Sequence, residues 1–255
     1  MSADLLDQQR RTFDKLVERG VYSVDFVHAP AARAFVSAVL QERLPLLSQR
    51  ASVSVLDCGC GTGGWLSFLH AQLSRAGVSN IRLCGFDLSG RMVEVAREHL
   101  RGLASAGDIR AGNVLEQQSY TFEGIEAGFD LIFTYDVVQQ LPRSQQADAC
   151  EAIAAALAPQ GLALIFDNDA ASRFGRRMAL RKFITRYCGL RLVPRYYCNA
   201  YYPQLEKICR RVGGRPGLDA RIVVRPDGIK RAMVLEKQIG NSGRGQPSAR
   251  GRGRA

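Results

Sequence analysis

The strongest constraint on the fold is an alternation of short apolar, β-branched runs with longer amphipathic stretches between residues 53 and 166. Short apolar runs are typical of buried strands, whereas apolar residues spaced three and four apart are typical of helices. Strands that are apolar on both faces and alternate with helices form parallel sheets covered by helices on both sides. The sequence therefore predicts a doubly wound α/β fold, with strands over 53–56, 81–86, 129–134 and 163–166 and helices over 65–75, 92–103 and 145–157.

Further elements are predicted on both sides of this core. Apolar residues at helical spacing predict two helices within residues 1–50, before a main domain over 51–239. A chain of 255 residues is long enough for one sizeable α/β core. Residues 240–255 contain Gly, Ser, Arg, Pro and Gln with almost nothing to bury, so we expect a disordered tail.

The end of the main domain has the pattern of a β-hairpin. Apolar runs at 220–224 and 232–236 flank the turn sequence Pro226-Asp227-Gly228, and a helix is predicted over 205–212. Between residue 169 and this helix the regular pattern loosens into a basic, aromatic insert at about 170–202.

The formal charge of +11 is concentrated in two places. Residues 173–195 contain eight Arg or Lys and no acid, and the tail adds four Arg, so the rest of the chain is close to neutral. We find no pattern of a secretory signal and no apolar stretch long enough for a membrane span. Seven cysteines without such a signal favour reduced thiols and a cytoplasmic location.

The stretch from Val55 to Gly64 carries the most specific chemistry. Asp57 ends a predicted strand, and a carboxylate there accepts hydrogen bonds from a cationic ammonium group. Gly59, Gly61 and Gly63 allow the backbone to turn sharply and approach a ligand closely. This stretch resembles motif I of the class I S-adenosylmethionine-dependent methyltransferases. Gly59, Gly61 and Gly64 also fit the dinucleotide fingerprint, so an NAD-dependent oxidoreductase is an alternative, although a Tyr-x-x-x-Lys pair is not recognisable.

Three later stretches extend the resemblance over residues 53–166. Asp87 ends the second strand, where a carboxylate accepts from both ribose hydroxyls. Asn113 stands where the family usually has an acid that accepts from the adenine amino group, and an amide oxygen performs the same task. The stretches 129–141 and 157–166 resemble motifs IV to VI. The resemblance implies a seven-stranded, mostly parallel Rossmann-like sheet and S-adenosylmethionine as cofactor, bound by Asp57, Gly59, Gly61, Gly63, Asp87, Leu88, Met92, Asn113, Val114 and Tyr135.

Catalytic and substrate-binding residues are predicted less directly. In this family the helices before motif I commonly form a lid over the site, so His28 and Tyr22 are candidates for contact with the acceptor. Many relatives carry histidine where this chain has Gln139 and Gln140, and glutamine orients a substrate but is no base near neutral pH. The insert follows the fifth strand, where the family places substrate recognition. The predicted catalytic residues are His28, Tyr22 and Gln140, and the predicted substrate-binding residues are Asp136, Gln139, Arg177, Arg181 and Tyr197.

These features predict a methyltransferase acting on a small acceptor that is anionic or bound to a carrier, with O-methylation favoured. The cations of the insert, interleaved with aromatic residues, suit carboxylates, phosphorylated carriers, an acyl-carrier protein, anionic lipid or RNA. An RNA methyltransferase and a non-catalytic partner protein therefore remain alternatives. Cys58 and Cys60 have no second Cys or His pair nearby, so we expect no metal site.

Overall fold

A computed structural model describes residues 3–20, 29–103, 108–188, 190–193 and 200–238. Its centre is a seven-stranded sheet in the order β3-β2-β1-β4-β5-β7-β6. The strands are β1 (Val53–Cys58), β2 (Ile81–Asp87), β3 (Asp108–Ala111), β4 (Phe129–Tyr135), β5 (Leu157–Asn168), β6 (Leu218–Val224) and β7 (Lys230–Lys237). The helices are α1 (Ala3–Glu18), α2 (Pro30–Gln41), α3 (Leu44–Leu47), α4 (Gly64–Arg75), α5 (Gly90–His99), α6 (Gln146–Ala155), α7 (Arg173–Tyr187) and α8 (Leu205–Gly213).

The sheet is mostly parallel, as predicted. Strands β1 to β5 pair in parallel, whereas β7 pairs antiparallel with both β5 and β6, so the predicted C-terminal hairpin is present and completes the sheet. The predicted tail lies outside the described residues.

The strands are apolar on both faces because both faces are covered. Val55 belongs to one buried cluster with residues of α2, α4 and α5, such as Phe35 and Leu69. The next residue, Leu56, points to the opposite cluster, which contains residues of α6 and α8 such as Ile153. Two separate apolar layers therefore enclose the sheet, as a doubly wound fold requires.

The sheet order fixes where a ligand site can form. β1 lies between β2 and β4, so the chain leaves β1 in one direction for β2 and β3 and later returns to the other side of β1. In open α/β sheets, ligands bind outside the carboxyl ends of the strands at such a switch point. The loops after β1, β2 and β4 therefore meet at one crevice.

The insert, for which the sequence pattern gave no element bounds, contains the helix α7. Ser172 caps α7, its hydroxyl oxygen accepting a hydrogen bond from the Gly175 amide at 2.8 Å. Six of the fifteen residues of α7 are Arg or Lys, which are good helix formers but hide the apolar periodicity. In the part of the chain that the structure describes, no helix combines the length and apolarity needed to cross a bilayer.

A partly buried carboxylate, Asp130, ties β4 to the start of β1. Asp130 Oδ2 accepts hydrogen bonds from the Ser54 amide at 2.7 Å and the Ser54 hydroxyl at 2.9 Å, while Oδ1 pairs with Arg50. These contacts lie at the amino ends of the strands, away from the crevice, so Asp130 holds the sheet together without touching the site.

We expect Asp130→Ala to lower the free energy of unfolding by about 1–3 kcal/mol, because the Ser54 amide and the Arg50 guanidinium lose their partner in a largely buried environment. Urea denaturation followed by circular dichroism measures this change. Asp148→Ala, which removes an exposed partner of Arg211, is the control and should change stability by less than about 1 kcal/mol. Equal effects of the two substitutions would contradict this role for Asp130.

Candidate active site

The loop after β1 is shaped by its glycines. Gly59, Gly61 and Gly63 have φ values of 78°, 53° and 82°, a region that side chains with a Cβ rarely occupy. A Cβ on Gly59 would overlap the Val137 side chain, whereas a Cβ on Gly61 would meet no atom within 4 Å. Gly61 therefore faces open space, and its bare backbone forms one wall of a cavity.

The loop is fastened to the end of β2 by backbone and side-chain hydrogen bonds. The amides of Gly59 and Cys60 donate to the Phe86 carbonyl at 2.8 and 3.0 Å. Asp87 Oδ2 accepts from the Gly61 amide at 2.9 Å, and Oδ1 accepts from the Ser89 amide at 2.9 Å. Burial raises the pKa of Asp87, and these backbone donors offset only part of that effect. The carboxylate borders the cavity, at the position that the resemblance gives to a ribose-binding acid.

Asp57 has no such partners. It is buried at the end of β1, and within the described structure neither of its carboxylate oxygens has a hydrogen-bond partner. Burial, and secondarily the negative charge of Asp87, raise its pKa well above the ordinary value. Asp57 is not among the residues that line the cavity. An unpartnered buried carboxylate costs stability, and a nearby donor or cation compensates for it.

One cavity of about 320 Å³ opens at the switch point. Its size suits a small-molecule ligand, and α1 forms part of its wall through Leu6, Gln9, Thr12 and Phe13. Asp14 of α1 also accepts a hydrogen bond from the Ser89 hydroxyl at 2.5 Å, which joins the helix to the loop after β2. The cavity brings together eleven predicted residues, namely Gly59, Gly61, Asp87, Leu88, Met92, Asn113, Val114, Tyr135, Asp136, Gln139 and Gln140.

Other predicted residues lie elsewhere. Gly63 precedes α4 and packs against Leu100, so its role in the structure is close helix packing outside the cavity lining. Arg177 and Arg181 are exposed on α7 and do not line the cavity. The predicted residues Tyr22, His28 and Tyr197 lie outside the described residues, so their roles stay predictions.

Asn113 uses its side chain to build the loop after β3. Its Oδ1 accepts from the Leu115 amide at 3.1 Å, and its Nδ2 donates to Glu116 at 3.0 Å. A carbonyl oxygen has two lone pairs, so this contact leaves one for a ligand. The proposed contact with an adenine amino group stays a prediction.

The opposite wall of the cavity carries a polar group of residues after β4. Gln139 Nε2 donates to Asp136 Oδ1 at 2.8 Å, and its Oε1 accepts from Asn168 at 3.1 Å. The Gln140 carbonyl accepts from Gln9 of α1, which ties this wall to the helix above it. Gln139 and Gln140 are thus held in place by neighbours, and their role in orienting a substrate stays a prediction.

Sequence reasoning missed the charged residues behind this wall. Lys230 is buried and donates to Asp136 Oδ1 at 2.6 Å. Burial lowers the pKa of Lys230, but Asp136 and other neighbours outweigh it and raise the pKa overall. Asp167 is also buried, and burial together with Asp136 raises its pKa. Asp167 accepts hydrogen bonds from the amides of Val138 and Gln139 at 3.1 and 3.3 Å and so shapes the loop after β4.

A protein-family profile described as a methyltransferase domain matches residues 55–161, the segment from β1 to β5 that builds the cavity. Residues 55–161 are a methyltransferase domain, and the fold is that of the class I S-adenosylmethionine-dependent methyltransferases. No protein of curated function matches the sequence of this methyltransferase.

Solved structures are similar to this methyltransferase in fold. One is a magnesium protoporphyrin IX methyltransferase from Synechocystis PCC 6803 with bound S-adenosylmethionine, which is 15% identical in sequence. The alignment covers 93% of this chain and 99% of that protein, with a TM-score of 0.59. The DhpI-SAM-HEP complex is 16% identical, with 92% and 99% of the two chains covered and a TM-score of 0.60. The small RNA methyltransferase HEN1 is 15% identical, with 79% and 25% covered and a TM-score of 0.51.

The residues of the cavity fit the cofactor of the methyltransferase. Gly61 leaves room where a Cβ would intrude, Asp87 presents a carboxylate to hydroxyl groups, and Leu88, Met92 and Val114 supply apolar surface for a planar ring. S-adenosylmethionine supplies a methyl group activated by a positively charged sulfur. The protein therefore has to bind the reacting groups, orient them and exclude water from them. Strong acid or base chemistry is not required.

We expect Asp57→Asn to stabilise the unliganded methyltransferase by about 1–2 kcal/mol at neutral pH. The pKa of Asp57 in the folded chain lies well above its ordinary value of 3.8, so the native state binds the proton more tightly. Stability is then lost as the pH rises from about 4 through the folded pKa, and an amide does not titrate in this window. Urea denaturation at several pH values between about 5 and 8 measures the difference.

The matched control for this measurement is Asp148→Asn, which changes an exposed carboxylate of α6. The pH dependence of its stability should follow that of the wild type. Identical pH dependence in the wild type and Asp57→Asn would show that Asp57 carries no strain in the folded chain.

Proposed function

We propose that this methyltransferase transfers a methyl group to a small acceptor that is bound to an acidic carrier, with oxygen as the favoured methyl-accepting atom. The observation that supports this most is the composition of the single cavity described above. One wall has the glycine loop and Asp87, which suit the cofactor, and the other has Asp136, Gln139 and Gln140, which suit a polar acceptor. Both reactants would then meet between the two walls, shielded by α1.

The charge distribution supports a carrier. Among the described residues that line the cavity, Asp87 and Asp136 are charged and no Lys or Arg is present, so the cavity offers no cation to an anionic group. The cations lie outside, on α7, which contains Arg173, Arg176, Arg177, Arg181, Lys182 and Arg186 and no acid. An anionic part of the substrate would be bound there, and a neutral part would enter the cavity.

The exposed surface of α7 is apolar as well as cationic. Leu180, Phe183 and Tyr187 are 60%, 57% and 69% exposed and, spaced three and four apart, form one stripe along the helix. A stripe of this kind beside arginines suits a protein with an acidic, partly apolar surface, such as an acyl-carrier protein. RNA is the second candidate, because the same arginines suit phosphates.

The first test is methyl transfer itself. We expect the wild type to move a labelled methyl group from S-adenosylmethionine to a component of fractionated cell extract that mass spectrometry identifies. Asp87→Ala removes hydrogen bonds to the loop and to a ribose, so cofactor affinity should fall about 10- to 100-fold. The fluorescence of Trp65, the only tryptophan and part of the cavity wall, reports binding without turnover.

Asp148→Ala serves again as the control and should bind the cofactor as the wild type does. If the wild type binds cofactor but labels no fraction, the domain is a non-catalytic binding protein. If NADH binds and S-adenosylmethionine does not, the oxidoreductase alternative is favoured. Either result would remove the proposed function.

The second test concerns the carrier. The double variant Arg177→Glu/Arg181→Glu should raise the KM for a carrier-bound acceptor about 10-fold or more, because two favourable charge contacts become unfavourable. Cofactor affinity should not change, since neither residue lines the cavity. Arg75→Glu/Arg101→Glu makes the same change in net charge on exposed residues elsewhere and is the control.

If the two double variants raise KM equally, only the net charge of the protein matters, and a docking role for α7 is contradicted. Release of the label by ribonuclease, with activity that falls steeply as salt is added, would instead favour RNA as the substrate.

A further inference from the structure

The C-terminal hairpin contributes a buried cation to the active site. Lys230 is the first residue of β7 and pairs in register with Asn168, the last residue of β5. Because β7 runs antiparallel to β5, its beginning lies at the carboxyl edge of the parallel strands, beside the cavity. Lys230 is only 4% exposed, and its Nζ lies 2.6 Å from Asp136 Oδ1 and 4.0 Å from the centre of the Tyr135 ring.

Asp136, the partner of Lys230, has an unusual backbone. Its φ is +62°, a left-handed conformation that costs a residue with a Cβ about 1–2 kcal/mol. The Asp136 amide donates to the Phe166 carbonyl at 2.8 Å, which keeps the backbone in this turn. Such a conformation directs the carboxylate to a place that an ordinary extended residue after β4 would not reach.

The hydrogen bonds to Asp136 are distributed unevenly over its two oxygens. Lys230 at 2.6 Å, Gln139 at 2.8 Å and Asn168 at 3.4 Å all donate to Oδ1. In the described structure no contact is recorded for Oδ2, although the residue lines the cavity and its side chain is 35% exposed. A carboxylate oxygen only accepts hydrogen bonds, so Oδ2 is available to a ligand that brings a proton.

The charge of the cavity points to the same class of ligand. The lining residues in the described structure include two carboxylates and no cation, and Lys230 already pairs with Oδ1 of Asp136. A carboxylate or phosphate at Oδ2 would therefore bring a second negative charge and no hydrogen to donate. A hydroxyl or an amine brings the hydrogen that Oδ2 accepts, without that repulsion.

We propose that Asp136 Oδ2 binds the proton-bearing nucleophile of the methyl acceptor, so that the methylated group is a hydroxyl or an amine and not a carboxylate or a phosphate. This inference rests on the proposed function. As the oxygen or nitrogen bonds to the methyl carbon, the carbon–sulfur bond breaks with its electron pair staying on sulfur, and the acceptor proton leaves through Oδ2 to solvent. Lys230, Gln139 and Asn168 are positioning residues that fix the carboxylate through Oδ1.

The chemical nature of the product tests the substrate class. The wild type is incubated with labelled S-adenosylmethionine and the extract fraction that accepts label, and the product is treated with mild alkali. We expect the label to stay on the product, because ethers and methylamines resist alkali. Release of labelled methanol would reveal a methyl ester, which would overturn the inference while the proposed function stands. Failure of the wild type to label any fraction would instead remove the proposed function.

Variants test the residues themselves. Asp136→Asn keeps the left-handed backbone, which asparagine adopts readily, but replaces one carboxylate oxygen by an amide NH2 group that cannot accept a proton. We therefore expect kcat to fall about 100-fold or more. The affinity for S-adenosylhomocysteine, measured by Trp65 fluorescence, should stay within about 3-fold of the wild type. Asp227→Asn changes an exposed carboxylate in the turn before β7 and should leave both quantities unchanged. A kcat within 3-fold of the wild type for Asp136→Asn would overturn the inference.

Lys230→Met tests whether the lysine acts through Asp136. We expect kcat to fall about 10-fold with unchanged cofactor affinity, and the double variant Asp136→Asn/Lys230→Met to be no slower than Asp136→Asn alone. If the fall in kcat of the double variant equals the product of the two single falls, Lys230 acts independently of Asp136. Should Lys230→Met fail to fold by circular dichroism, Lys230→Gln, which also removes the charge but keeps a polar side chain, gives the same comparison.

Discussion

The hydrogen bond from the Gly61 amide to Asp87 Oδ2 is the contact on which the rest of the site depends. It joins the loop after β1 to the end of β2, and so converts the parallel pairing of the two strands into a rigid wall. The φ of 53° at Gly61 favours glycine, and a Cβ there would meet no atom within 4 Å. Asp87 uses one oxygen to hold the loop and the other to hold Ser89, which in turn donates to α1. One carboxylate therefore organises the loop, the wall and the covering helix.

Asp57 shows the cost of this arrangement. Its carboxylate is buried without a described hydrogen-bond partner, in a place where Asp87 adds further negative charge. A chain optimised only for stability would not keep two carboxylates so close together at the ends of adjacent strands. A positive charge held close to the two carboxylates would relieve both burdens at once. Stability is thus lower in the unliganded protein, and cofactor binding restores it by mass action.

Short sequence motifs predicted those parts of the site that are built from residues close together in the chain. Gly59, Gly61 and Asp87 lie within short segments, so these residues of one cavity wall could be predicted, whereas the predicted residues Asp57 and Gly63 do not line the cavity. Lys230 could not be found in this way, because its place depends on β7 inserting between β5 and β6, a pairing of strands more than sixty residues apart. The same holds for Asn168 and for the left-handed turn at Asp136. The bounds of α7 could not be predicted, because its arginines conceal the apolar spacing on which helix prediction relies.

The separation of charge between the cavity and α7 constrains any substrate. The described cavity carries carboxylates, and the six cations of α7 lie on an exposed helix that follows β5. A small anion free in solution would be attracted to α7 and repelled from the cavity, so it would bind where no chemistry takes place. A molecule with its negative charge at one end and a neutral hydroxyl or amine at the other satisfies both regions simultaneously. Under the proposed function, recognition by α7 would raise the local concentration of the reactive end at the cavity, and Asp136 would select the atom that is methylated.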